Sequence, residues 1–255
     1  MLYSDTRRVH YQKPQLMEVI CQLRFPTILT IGANPPVDFQ EAIRDLFPQY
    51  VPRQEELALQ AGGGKKIITN YNFLSADNRW KLNLTENFIA LSTVAYPGWE
   101  NFGQQLDRPL AQFIELYHPA YFERIGLRYM NIFSRKALAL EGTPWRDLIE
   151  APYLGPMGEE DVDEKRVHKC ALDLEMSLDS TCSARIHAGP GMVRKNIPNT
   201  QQDPELKYIL DLDLSAKGQL DPRMAAATLE MLHGHSTPIF QGAITDTLHS
   251  AMEPI

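Results

Sequence analysis

The chain reads as an α+β protein with two lobes, each a mainly antiparallel sheet covered by helices. Three observations predict this. First, several stretches alternate apolar and polar residues with a period of two. Val19, Cys21, Leu23 and Phe25 alternate with Glu18, Gln22 and Arg24, and Leu172, Leu174, Met176 and Leu178 with Asp173, Glu175, Ser177 and Asp179. Alternation of this kind is what a sheet with one wet face requires. Second, turn residues between short strands, Ser75-Ala76-Asp77-Asn78 and Glu86-Asn87, predict an antiparallel meander, with helical-period stripes before and after it. Third, composition changes between residues 137 and 165, where Pro144, Pro152, Gly155-Pro156 and the acidic run Glu159-Glu160-Asp161 cluster. The expected organisation is an N-terminal lobe over 1–136, a connector over 137–165 and a C-terminal lobe over 166–255. Each half runs strands then helix, which raises a structural duplication, although no residue-level repeat accompanies it.

Taken in order, Pro14 belongs at the start of the opening strand, Glu18 to Phe25, because it cannot donate to a ladder. Asn34-Pro35-Pro36 stops regular structure. Asp38 with Glu41 three residues on forms a capping-box pattern, and Phe39, Ile43, Leu46 and Phe47 make a helical stripe that Pro48 ends. Gly62-Gly63-Gly64 before Lys65-Lys66 lacks the spacing and the following helix of a phosphate loop, and reads as a flexible loop. Ile67–Leu74, Trp80–Leu84 and Phe88–Thr93, separated by Ser75-Ala76-Asp77-Asn78 and Glu86-Asn87, predict an antiparallel meander. A helix over 99–117 carries Phe102, Leu106, Leu110, Phe113, Ile114 and Tyr117 on one face, and a strand over 121–134 follows it. Thr143 is positioned to cap a helical fragment over 144–150. Strands over 167–178, 182–188 and 206–215 then lead to a helical region over 221–252, with a break expected at Gly234 to Pro238.

The net charge of −7 argues against a generic nucleic-acid binder, because phosphate contacts need concentrated positive surface. Cys21, Cys170 and Cys182 give no disulfide framework and no paired metal-ligand spacing. The polar start lacks a signal-peptide core, and no stretch has the roughly 20 apolar residues of a membrane span. The expectation is a cytoplasmic protein with no membrane association and no cofactor.

The strand over Arg124-Ile125-Gly126-Leu127-Arg128-Tyr129-Met130-Asn131 carries the clearest candidate site. Arg24, Arg124, Arg128 and Asn131 are the candidate ligand-binding residues, since guanidinium forks suit phosphate or carboxylate. Arg124 and Arg128 share one strand face, and Tyr129 and Asn131 the other, unless a bulge at Gly126 re-aims them. The competing account pairs these arginines with Glu18, Glu123 or acids of the second half. Asp173, Glu175, Asp211 and Asp213 are weak candidates for a hard divalent cation, on the condition that their strands are neighbours. A one-sided wet sheet would carry the same acids. His233-Gly234-His235 is weak evidence for metal, and Ser92, Ser183 and Thr245 lack nucleophile-elbow glycines. Cys182 and His187, five apart on one strand, point to opposite faces and do not form a dyad.

Tyr11-x-x-Pro14-x-Leu16-x-Glu18-Val19, Gln22-Leu23-Arg24-Phe25, Phe39-Gln40-x-x-Ile43-Arg44, Arg124-Ile125-Gly126-Leu127-Arg128-Tyr129-x-Asn131 and the closing Leu232-His233…Ile244-Thr245-Asp246-x-Leu248 resemble an uncharacterised, sporadically distributed family of bacterial proteins. The resemblance spans nearly the whole chain and is most specific at Arg124 to Asn131. It implies a bacterial, cytoplasmic accessory protein near mobile or defence-related genes, and transfers no catalytic residue. The favoured reading is a non-enzymatic protein-binding factor acting with a partner from a neighbouring gene, toxin-neutralising or defence-associated. The alternative is an anionic-ligand- or nucleotide-binding protein or enzyme that uses an inter-lobe cleft and the strand-borne arginines.

Overall fold

A computed structural model describes residues 3, 8–58, 65–193 and 204–255, with backbone alone at 55–58 and 65–67. The glycine run at 62–64 lies outside the described residues. The fold is mixed α+β with extensive antiparallel pairing, and contains ten strands and six α-helices among the described residues. None of these helices is long and apolar enough to cross a membrane. The chain divides into two compact units that are discontinuous in sequence: residues 18–127 with 215–230, and residues 1–17 with 128–214 and 231–255.

The first unit contains most of β1 (Leu16–Arg24), then α1 (Leu29–Ala33), α2 (Val37–Ile43), β2 (Gln49–Tyr50), β3 (Arg53–Ala58), β4 (Lys65–Leu74), β5 (Trp80–Leu84), β6 (Phe88–Thr93), α3 (Trp99–Tyr117) and the first half of β7 (Phe122–Phe133). Its strands run in the order β2-β4-β5-β6-β1-β7, with β3 paired to β4. The meander forms as its turn residues predict. Ser75 Oγ donates to Asp77 Oδ1 at 2.6 Å, and Asn78 adopts φ 58°, a left-handed turn conformation that asparagine tolerates. Along β1 the alternation becomes burial: Val19, Cys21 and Leu23 are fully enclosed. They face an aromatic core in which Phe25 and Phe113 of α3 approach to 4.7 Å and Phe39 and Phe73 to 5.9 Å. The helix over 99–117 forms as read and ends at His118 in the left-handed conformation. The capping box does not form. α2 begins at Val37 behind Pro36 without a side-chain cap, so Asp38 sits inside the first turn, where a carboxylate still favours the positive end of the helix.

The second unit contains the remainder of β7, α4 (Ala151–Leu154), β8 (Leu172–Ser177), β9 (Cys182–Gly191), most of β10 (Lys207–Leu220), most of α5 (Ala225–Ala243) and α6 (Asp246–Ala251). Its strand order is β7-β10-β9-β8. In place of a capped fragment over 144–150 there is one short 3-10 turn, Trp145–Asp147, behind Pro144 with no side-chain cap. Trp145 is held from another direction. Its backbone N–H donates to Glu164 Oε2 at 2.7 Å, and the Arg135 guanidinium, paired with Glu164 Oε1 at 2.6 Å, lies 4.4 Å over the indole ring. Tyr208 of β10 donates to the Tyr153 carbonyl at 2.7 Å, and Tyr153 to the Ile239 carbonyl of α5 at 3.3 Å, so buried hydroxyls join strand to helix.

The break expected at Gly234 to Pro238 is absent. α5 runs through both residues, and the chain turns at Ile244–Thr245 instead, where Thr245 caps α6 through Leu248 N–H. A proline removes one helical hydrogen bond. Burial of Leu232, His233, Ser236 and Ile239 on either side of it holds the helix together.

Candidate functional site

Arg128 and Asn131 occupy the part of β7 that belongs to the second unit, and the residue alternation separates them. Asn131 points into the core, is 5% exposed, and donates through Nδ2 to the Leu210 carbonyl of β10 at 3.2 Å. That bond satisfies a buried backbone carbonyl. Arg128 faces the other way. Its Nε donates to Asp211 Oδ1 at 2.7 Å while Nη2 donates to Oδ2, a fork closed on both oxygens. The carboxylate side chain is 15% exposed and the guanidinium 39%. Here a candidate anion hand and a candidate metal ligand bind each other.

Asp173 and Glu175 also meet bases of the chain. In the β8–β9 register Asp173 lies opposite His187 and Glu175 opposite Arg185. The resulting contacts are 2.7 Å from His187 Nδ1 to Asp173 and 3.1 Å from Arg185 to Glu175. The condition for a four-carboxylate cation site is not met, because β9 lies between β8 and β10. Two strand spacings separate the pairs by about 10 Å. One wet sheet face therefore carries alternating acids and bases, with Met130, Ile132 and Ile209 half-buried among them.

Arg24 and Arg124 belong to the first unit. Arg124 lies along its own strand: a Cβ added at Gly126 would run into the Arg124 guanidinium. Residues two apart share a strand face, and the absent side chain at Gly126 gives the guanidinium its bed. This, and not a bulge, explains why burial is continuous over Ile125, Gly126 and Leu127. Arg24 sits at the end of β1 opposite Phe88, exposed, with no ion pair or hydrogen bond to its side chain among the described residues.

A constellation that sequence reasoning missed lies in the second unit. Asp179 opens the turn between β8 and β9, Cys182 begins β9, and His235 lies on α5. One donor atom from each lies within 4.8 Å of the others. Asp179 Oδ1 accepts the backbone N–H groups of Thr181 and Cys182, both at 2.7 Å, while Oδ2 meets His235 Nε2 at 2.9 Å. Those two backbone donors, followed by the His235 contact, hold the Asp179 carboxyl well below its usual range. Burial first, and the neighbouring carboxylate second, push the Cys182 thiol up to about 11. The thiol is therefore protonated at neutral pH and is not an activated nucleophile. Asp179 and Cys182 at a turn were visible as a pair, but His235 is 56 residues from Asp179 and nothing local ties it to them. Cys182 and His187 do not meet as a dyad, since His187 turns to Asp173.

A third polar feature is structural. His233 of α5 is buried against β7, where its Nδ1 takes the Tyr129 hydroxyl at 2.6 Å and Arg8 Nη2 at 3.1 Å. No family model matches the chain, and comparison with curated proteins finds no match.

Proposed function

We propose that the chain is a bacterial, cytoplasmic binding protein without catalytic activity, acting with a protein partner encoded beside it, of the toxin-neutralising or defence-associated kind. The observation that carries this reading is the Arg128–Asp211 fork. The strand arginine best placed to grip an anion is answered from within the chain, which favours a surface that meets another protein over a pocket that holds a small molecule. The wet face of β7, β10, β9 and β8 supports it. Half-buried Met130, Ile132 and Ile209 beside Arg128, with exposed charges further out, match the Met- and Arg-bearing centre and polar rim of protein interfaces. The family resemblance at Arg124 to Asn131 supplies the neighbouring-gene partner. A duplicated lobe plan belongs to the same reading; its support is one 19-residue helix in each half of the sequence, α3 and α5.

The test is co-expression with the product of the adjacent gene. Stable co-purification is expected, with capture weakened by the charge reversals Asp173→Lys and Arg185→Glu while the melting temperature holds. A chain that never captures its neighbour overturns the reading. One observation favours a second account, an anionic ligand at Arg24: that guanidinium is exposed and without a partner among the described residues. Under it, inorganic phosphate or a nucleotide raises the melting temperature of the native chain and not of Arg24→Ala.

A further inference from the structure

We propose that Asp179, Cys182 and His235 form a binding site for one zinc-class divalent cation, independent of the partner reading above. The three residues supply a carboxylate oxygen, a thiol sulfur and an imidazole nitrogen, within 4.8 Å of one another. Zinc is held by this mixture of donors, at metal–ligand distances of about 2.0–2.3 Å, and its tetrahedral shell places donor atoms roughly 3.2–3.8 Å apart. Modest side-chain rotation therefore brings the three donors onto one centre. An all-oxygen cation such as magnesium or calcium is disfavoured by the sulfur and the imidazole.

The carboxylate is already aimed. Oδ1 is occupied by two backbone N–H groups of the turn, which leaves Oδ2 directed at the His235 ring. Outer hydrogen bonds of this type orient metal-binding carboxylates and imidazoles. The sulfur is buried at the inner side, whereas the His235 and Asp179 side chains are 32% and 33% exposed. The fourth coordination position then faces solvent and takes a water. Loading replaces the thiol proton with the metal and releases that proton to solvent. The proton that His235 Nε2 donates to Asp179 leaves that nitrogen on loading, the neutral ring takes up one proton from solvent on Nδ1 in its place, and no electron is transferred. The metal would tie the β8–β9 turn to α5 more firmly than the His235–Asp179 hydrogen bond does.

Metal-free full-length chain titrated with zinc by calorimetry is expected to bind one equivalent, and the loaded chain to melt higher. Cobalt(II) is expected to give a thiolate-to-metal charge-transfer band in the near ultraviolet. Cys182→Ser abolishes that band and His235→Gln weakens cobalt binding at least tenfold, while Cys170→Ser and His187→Gln leave it unchanged. Because Cys182 is buried, its variant can fail to fold. The wild-type chain then decides: zinc must protect Cys182 from alkylation in partly denaturing urea, as read by mass spectrometry. No cobalt band, a band that survives in Cys182→Ser, or alkylation of Cys182 unaffected by zinc would each overturn the site.

Discussion

His233 shows how much one side chain's surroundings decide. Arginine has no acceptor, so Arg8 must donate to Nδ1, and the neutral ring carries its proton on Nε2. Burial first, and the Arg8 charge second, bring its pKa down from 6.5 to about 3. The folded state thus refuses a proton that the unfolded chain binds once pH drops below about 6.5. The contribution of this residue is complete above that value and is lost as pH falls toward 3. Its slope reaches one proton's worth, about 1.4 kcal/mol per pH unit. Asp179 and Asp221 are held low by their partners and add a slope of the same sign, but only near and below their ordinary value of 3.8. Urea unfolding between pH 4.5 and 6.5 therefore isolates the histidine. The midpoint is expected to fall across that range in the native chain and to stay nearly flat in His233→Gln; equal slopes would refute the assignment.

Among the elements, two strand glycines look alike and differ in what surrounds them. An added Cβ at Gly126 meets the far end of the flexible Arg124 side chain, whereas at Gly189 of β9 it meets the Cys170 backbone carbonyl at 2.6 Å. A guanidinium can swing away; a carbonyl moves only with its chain. Gly189→Ala is expected to cost about 1–3 kcal/mol, the range of forced overpacking, and Gly126→Ala clearly less. Denaturant midpoints of the two variants check this, and an equal or reversed cost contradicts it. The same contrast explains what the sequence revealed about elements. Period-two alternation at Val19 to Phe25 and at Leu172 to Met176 marked strands because each side chain reports its own face. The end of α5 was misplaced because Gly234 and Pro238 are local signals, overridden by burial of Leu232 and Ile239 from outside the helix.

For the whole molecule, strand order is the information the pattern lacked. The sequence places Asp173, Glu175, Asp211 and Asp213 on wet faces correctly, but only topology puts β9 between the two pairs and supplies Arg185 and His187 as their neighbours. The Asp179, Cys182 and His235 constellation was hidden for the same reason, since a turn and a distant helix meet only in three dimensions. The Arg128–Asp211 fork was anticipated in kind, as an arginine paired with an acid of the second half, but not in partner.

β8 ends its strand path and has no strand on its outer side among the described residues. An open edge is a template on which a second chain can assemble, and short length with charged side chains discourages that. β8 is six residues long, and Asp173 and Glu175 are both exposed. Each acid therefore acts as a gatekeeper as well as a member of an ionic pair. Asp173→Val with Glu175→Val is expected to leave the circular dichroism of the dilute chain unchanged and to produce concentration-dependent light scattering and thioflavin binding. Replacing the same two acids with lysine should keep solutions clear, because solubility at this edge depends on charge and not on its sign.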